Sequence, residues 1–429
     1  MSATLDVRAG AELPRAAAAQ SIVAFLVVAS LGFAQGGLEP RTWRLASLSF
    51  LALAAAALLS RTPIMLGRLE WWMLAAFAAL VGWTALSTVW SSQPTASLLQ
   101  AERVLVYAAG LLAFVLLVER TALPFVLAGT LAAITVVAAY GLARKLFAPP
   151  PYDTYEGTLL YQPIGYANGL GIFAAIGILI ALGLALRLRG TARSAALAPI
   201  LVLGPTLYLT SSRGAGLALV GGLAVLVLVA GGARKPKLAA VGALAAAGIL
   251  VAVLAASRGP AQSLVGNNRQ HYWHAALADY REHPVLGAGA GTFGPYWLSH
   301  RPDTQFTRTA HSLYLGTLAD LGPFGLALLV AGLAPPLVAL RRFRGPLAAA
   351  AAAGYAAYLL HTGIDWDWEL PAATVPGLLC GAALLVGARG PSARPLSGGT
   401  RAVLLVAVVL VAAAEVARLA TGPATPFGS

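Results

Sequence analysis

Cysteine occurs once in the 429 residues, at Cys380 inside an apolar run, which excludes a disulfide framework and a cysteine-ligated metal. Charge is scarce as well. Asp, Glu, Lys and Arg make up 10 % of the chain against 59 % hydrophobic residues, and the mean hydropathy is +0.77, a balance that excludes a soluble globular domain. No G-x-x-x-x-G-K-[ST] phosphate loop is present, which removes an ATP-driven transporter within this chain. No internal repeat is visible, which counts against an inverted-repeat transporter. The first apolar run is followed by Gln35-Gly36-Gly37 rather than a small-x-small cleavage site, so no cleavable signal peptide is expected.

What the chain has instead is a succession of apolar runs. A bilayer core about 30 Å thick takes roughly 20 apolar residues per helix. Runs near that length are read at 16–33, 45–59, 71–89, 104–118, 122–142, 170–186, 195–210, 215–230, 238–256, 313–340, 347–360, 372–386 and 402–419. The expected fold is all-α: a single polytopic membrane domain over 1–429 with about 12 to 13 transmembrane helices. A long extracytoplasmic loop is expected at 257–310, and an extra C-terminal span and tail at 390–429.

The net charge of +13 is distributed as a topological signal and not as a nucleic-acid surface. Arg187, Arg189 and Arg193 share one loop, and Arg234, Lys235 and Lys237 the next but one. Arg341, Arg342 and Arg344, then Arg389, Arg394 and Arg401, continue the alternation. Basic clusters in every second loop mark the cytoplasmic side. The N-terminus is then inside, while the turn at Arg213, the loop at 257–310 and the turn from Asp365 to Glu369 face outward. Arg41 and Arg44 fall on the outer side and sit awkwardly with this scheme.

Arg213 stands in Ser211-Ser212-Arg213-Gly214, between two apolar runs. A guanidinium at the centre of a bilayer costs roughly 2.5 to 3.5 kcal/mol to insert, so such a residue either binds something or snorkels to the headgroups. In the loop, Asn267 or Asn268 can cap a helix running through Arg269 to Tyr280. Trp273, Ala276, Leu277 and Tyr280 fall on one face of it, as in an interfacial amphipathic helix with aromatic anchors. His283-Pro284 stops it, and Gly287, Gly289 and Gly291 allow a flexible return. His271 and His274 lie one turn apart without a third ligand at motif spacing, which argues against a metal. Arg258, Arg281, Arg301 and Arg308 read as solvated loop residues.

His311 opens the next span. It is either an interfacial hydrogen-bonding residue or a general base, since an imidazole with an ordinary pKa near 6.5 changes protonation close to neutrality. His361-Thr362-Gly363-Ile364-Asp365-Trp366-Asp367-Trp368-Glu369 gathers three carboxylates and two tryptophans at an outer turn. One carboxylate there would orient His311 or neutralise an arginine, the lesser reading being a divalent-metal Asp-x-Asp site. The loop at 144–164, with Pro149-Pro150-Pro151 and three tyrosines, reads as a short lid or acceptor-facing element whose prolines form a rigid connector.

Taken together, Gly165-Tyr166-Ala167-Asn168, Ser211-Ser212-Arg213-Gly214, Asn268-Arg269 through Trp273 to His283-Pro284-Val285-Leu286-Gly287, and His311-Ser312-Leu313-Tyr314 followed by Asp320-Leu321-Gly322-Pro323-Phe324-Gly325 resemble bacterial O-antigen ligases and O-antigen polymerases. The resemblance runs over roughly 165–371. It implies a membrane glycosyltransferase of the C type on the outer side of the bacterial cytoplasmic membrane, inverting and independent of metal or other cofactor. Its donor would be a polyprenyl-diphosphate-linked glycan and its acceptor a hydroxyl of a glycan, lipid or protein. On that resemblance His311, Arg213 and Arg269 are the catalytic candidates. Arg213, Arg269, Tyr314, Asn168 and Asp365 are the substrate-binding candidates. The competing class is a lipid or polysaccharide exporter, with Arg213 and the acidic turn lining a passage.

Overall fold

The computed structural model describes residues 15–60, 62–148, 152–153, 155–233, 268–302, 304–391 and 393–421. The expected span at 238–256, the basic cluster Arg234, Lys235 and Lys237, Asn267, Arg258 and Pro149 to Pro151 lie outside these residues. The helices are α1 (Arg15–Phe33), α2 (Pro40–Leu59), α3 (Arg68–Leu86), α4 (Pro94–Leu117), α5 (Leu123–Phe147), α6 (Ala167–Ala185), α7 (Gly190–Leu197), α8 (Ile200–Leu209) and α9 (Arg213–Val229). They continue with α10 (Arg269–Glu282), α11 (Phe293–His300), α12 (Leu313–Leu333), α13 (Pro335–Ala339), α14 (Pro346–Thr362), α15 (Pro371–Gly387) and α16 (Gly398–Thr421). The protein is an all-α, multi-pass membrane protein: among the described residues nine helices are long and apolar enough to cross a bilayer, and α9 and α15 are shorter apolar helices. Proline sets several boundaries. It opens α2, α4, α14 and α15 within their first turn, where its missing N–H costs nothing. Pro199 separates α7 from α8 within the expected span at 195–210.

Side-chain contacts sort the helix ends into two faces. On one, Met65 and Leu66 form a short antiparallel ladder with Pro395 and Arg394. There Arg389 donates to Glu70 Oε1 at 2.5 Å and to the Val118 carbonyl at 2.9 Å, and Arg401 donates to the Ser60 carbonyl at 2.7 Å. On the other face Ser97 donates to the Ala290 carbonyl at 2.7 Å, and Tyr107 to that of Trp368 at 2.6 Å. The basic loops 341–344 and 389–401 belong to the first face and the Asp365 turn to the second, as the alternation of charge requires.

Arg44, which strained that scheme, proves to be neutralised within the helices. Its Nε lies 3.0 Å from Glu102 Oε2, both side chains are buried, and Arg418 of the last helix meets the same carboxylate. A charge already paired inside the bundle carries no topological message. Helix α6 lies at the centre, with 89 % of its apolar window enclosed by protein. The unbroken run Ala348 to Ala353 of α14 is buried throughout. Without a hydrophobic effect between helices in lipid, such small residues let backbones approach and gain dispersion contacts.

The segment from Asn268 to α12 is built differently from the interfacial helix the sequence suggests. The face of α10 that turns inward is Tyr272, Ala276 and Asp279, one residue out of step with the Trp273 stripe. It packs with Phe293, Trp297, Ala310 and Ala319 into a small core of its own. Asn268 occupies the position before the helix but its side chain makes no capping bond; its amide donates to Gln305 Oε1 at 3.0 Å instead. The glycine return then docks on α12. Pro323 has no N–H to give the Ala319 carbonyl four residues back, and Gly322 leaves the helix at φ 66°. The exposed acceptors are taken by the loop: Ala288 N–H donates to Ala319 at 2.9 Å and Gly289 N–H to the Asp320 carbonyl at 2.8 Å. Gly287 and Gly289 hold φ of 73° and 106° there, a region closed to most side chains.

Candidate functional site

Asp365 is the centre of the second face. It is fully buried at the turn between α14 and α15, where a single turn of 3-10 helix covers Asp367–Glu369. Four donors converge on its carboxylate. Arg269 reaches Oδ2 at 2.5 Å, Asn168 Nδ2 reaches Oδ2 at 2.8 Å, the Tyr166 hydroxyl reaches Oδ1 at 2.6 Å and Trp366 N–H reaches Oδ1 at 2.8 Å. Asn168 also donates to the Tyr166 oxygen at 2.8 Å. Burial alone would push the Asp365 carboxyl up, but Arg269, with His361 and His311 behind it, holds it below the usual carboxylate range. The same carboxylate presses the Tyr166 hydroxyl, already raised by burial, further above its ordinary value.

His311 shares this electrostatic neighbourhood. Burial lowers its pKa, Asp365 pulls the other way, and Arg269 adds to the lowering. The net direction is down, so the ring is neutral near pH 7. Its Nδ1 faces the Thr309 carbonyl at 3.3 Å. The Thr309 hydroxyl stands at the same 3.3 Å and can donate or accept, while the carbonyl only accepts; in the tautomer that donates to the carbonyl, the proton is on Nδ1 and the lone pair on Nε2. The ring lies 5.0 Å from that of Tyr272, and Trp273 Nε1 approaches the His311 carbonyl at 3.5 Å. The backbone is left-handed here, at φ 49°, a conformation rarely held outside glycine unless its surroundings enforce it.

Arg213 is the first residue of α9, whose N-terminus is capped by Ser212 Oγ accepting from Ala215 N–H at 3.3 Å. The next residue, Gly214, is packed so closely that a Cβ there would stand 3.1 Å from His361 Nε2. His361 is itself fully buried, with Nδ1 3.0 Å from Asp367 Oδ2. The structure therefore brings Arg269, His311, Asn168 and Asp365 together, with the start of α9 beside them through Gly214 and His361. Tyr314 stands at the edge, its hydroxyl donating to the Leu359 carbonyl at 2.9 Å and its ring against Gly363.

Each of the three carboxylates of the turn has its own basic partner. Asp365 takes Arg269, Asp367 takes His361, and Glu369 takes Arg103 at 2.6 Å, whose guanidinium also stacks 4.3 Å from the Trp43 ring centroid. His361, Tyr166 and Arg103 are contributions that the sequence reading did not single out. The spacing of His361 four residues before Asp365 was the one local hint. Arg103 stands at the edge of the apolar run at 104–118, next to Glu102, where a charge close to the bilayer asks for a partner. Arg308, read as a solvated loop residue, lines a cavity of about 80 Å³ beside the site with Gln100, Asp320, Trp368 and Glu369. Arg281, His271 and His274 are exposed, and Arg301 is occupied with the Thr304 carbonyl at 2.9 Å.

The loop before α6 reaches the same place. Glu156 Oε2 accepts from Ala167 N–H at 3.3 Å, at the start of α6. Burial, then Asp153 and Asp365, push its carboxyl up to about 7.

Residues 198–330 match the family described as O-Antigen ligase, a narrower stretch than the motifs suggested. It contains Arg213, Arg269, His311 and Tyr314, while Asn168 and Asp365 reach the site from outside it. No curated protein matches the chain. The chain is thus a multi-pass membrane protein whose residues 198–330 match the O-antigen ligase family, and the buried carboxylate of Asp365 meets Arg269 of that stretch.

Proposed function

We propose that the protein is a glycosyltransferase that moves a glycan from a polyprenyl-diphosphate donor to an acceptor hydroxyl, by ligation or polymerisation, on the outer side of the bacterial cytoplasmic membrane. The observation that carries this reading is the meeting of Arg269, Asp365 and a neutral His311 at the face opposite the basic loops. An arginine fork grips phosphate oxygens in a way a lysine cannot. Arg269 still has donors beyond the one given to Asp365, and with Arg213 it would hold the diphosphate.

The reaction is a single displacement with inversion. His311 Nε2 takes the proton of the acceptor hydroxyl as its oxygen attacks the anomeric carbon. The bond from that carbon to the diphosphate oxygen breaks, and the electron pair leaves with the diphosphate, whose growing charge the guanidinium groups stabilise. No metal enters this scheme. Asp365, held by Asn168 and Tyr166, orients Arg269 and keeps the imidazole from losing basicity altogether. Donor and acceptor confined to one membrane plane gain the orientation that free solution lacks.

The test is reconstitution in proteoliposomes with a polyprenyl-diphosphate oligosaccharide and a panel of glycan, lipid and peptide acceptors, with products read by mass spectrometry. Transfer is expected from wild type and falls about a hundredfold or more in His311→Ala, which still binds donor. Glycolipid that crosses the bilayer unchanged, with no transfer to any acceptor, would replace the enzyme with an exporter.

A further inference from the structure

On the face opposite the candidate site, a pocket of about 480 Å³ opens between the start of α3 and the turn after α13. Arg68, Arg341, Arg342 and Arg389 line it, with Glu70 as its single acid. Glu70 is already satisfied: it accepts from Arg389 at 2.5 Å and from Gly67 N–H at 2.5 Å. Arg389 is likewise spent, on Glu70 and on the carbonyls of Val118 and Val115. That leaves Arg68, Arg341 and Arg342, all exposed, and none forms an ion pair among the described residues.

A second cavity of about 610 Å³ begins where the first ends. It is an apolar groove between α3 and α12, and it shares Leu69, Trp72 and Val338 with the arginine pocket. Its floor follows α12 and α13 from Pro323 to Val338, a rise of roughly 22 Å at about 1.5 Å per residue. Trp72 and Val330 remain largely exposed along it, at 63 % and 51 %. The two cavities thus have the form of one elongated ligand, with an anionic head among guanidiniums at the membrane boundary and a hydrocarbon tail along the bundle.

The geometry points to a bound anionic phospholipid of the leaflet opposite the candidate site, its phosphate held by Arg68, Arg341 and Arg342 and an acyl chain in the α3/α12 groove. Guanidinium forks suit phosphate oxygens, and basic pockets between membrane helices recognise acidic headgroups. A zwitterionic phospholipid would fill the groove equally well but would bring its own cation against three arginines, so the charge selects the acidic lipid. The site is independent of the glycosyltransferase reading.

The experiment is native mass spectrometry of the full-length protein in detergent, titrated with equimolar phosphatidylglycerol and phosphatidylethanolamine. Wild type is expected to retain phosphatidylglycerol about tenfold over phosphatidylethanolamine, the scale of one or two arginine contacts with an acidic headgroup. The variant R68A/R341A/R342A should lose that preference, and Val330→Trp should weaken retention by filling the groove with every arginine in place. The comparison variant R187A/R189A/R193A, which removes three exposed arginines from the segment around the start of α7, should behave as wild type. Equal retention of the two lipids by wild type, unchanged preference in R68A/R341A/R342A, or an equal loss in R187A/R189A/R193A overturns the site.

Discussion

The Arg269 guanidinium donates to Asp365 Oδ2 at 2.5 Å across 96 residues of sequence, and this pair sets the charge that His311 feels. Arg269→Lys keeps the charge but not the fork. Transfer should fall on the order of a hundredfold in the lysine variant, nearly as far as in Arg269→Ala, the scale of one lost donor to developing charge. Initial rates in proteoliposomes check this, and a fully active lysine variant would remove the bidentate role.

Asp365→Asn keeps the shape of the turn and removes its charge. Asp365 raises the His311 pKa, so the neutral amide should let it fall further. A base works only when deprotonated. The acid limb of the rate profile should therefore lie below pH 6.5 in wild type and move to still lower pH in Asp365→Asn. An inflection that moves upward contradicts the coupling.

Replacing the imidazole tests its role as base. His311→Ala should reduce transfer about a hundredfold or more, the range of a positioned general base, while binding of radiolabelled lipid-linked donor stays within about twofold of wild type, because Arg213 and Arg269 hold the phosphate. Loss of donor binding in step with rate would make His311 a binding residue only.

Glu156 supplies a second titration that must be kept apart from the first. Its folded pKa of about 7 is raised above the ordinary value of 4.5. The protonated form is therefore favoured by the fold, and its contribution is complete below 4.5 and lost as pH rises through about 7. Thermal unfolding should show stability declining over that window in wild type and flat in Glu156→Gln. Should the acid limb of activity also vanish in Glu156→Gln, the base is this carboxylate and not His311.

Gly287 is held at φ 73° with the Asp320 backbone against it. Gly287→Ala should cost about 1 to 3 kcal/mol through strain and loss of the docking contact. Limited proteolysis should then cut between 283 and 292 where wild type resists. Equal resistance would mean that the loop tolerates a side chain there.

Much of this protein is settled by local chemistry. A membrane span is a statement about about twenty consecutive apolar residues, so the helices were legible wherever the chain was greasy. Their boundaries were less so: α4 begins at Pro94, ten residues before the apolar run at 104, because Ser97, Glu102 and Arg103 are buried and paired with the Ala290 carbonyl, Arg44 and Glu369 from distant parts of the chain. The basic loops 341–344 and 389–401 share a face, as their charge suggested, and Arg44 fits that scheme once Glu102 is found beside it. Arg213 and His311 were visible as a charge and an imidazole at span boundaries, and Arg269 as a charge at the start of the loop helix.

What the sequence could not decide is which of these groups touch. Asp365, Asp367 and Glu369 are spaced as one cluster, yet each is matched to a different base, from α10, α14 and α4. The inward face of α10 was misjudged by one residue because hydropathy names Trp273, while packing against Phe293 and Trp297 chose Tyr272. Sequence fixes which side chains are too polar to face lipid. Only the packed bundle fixes their partners, since a buried charge pairs with whatever the crossing of distant helices brings within about 3 Å.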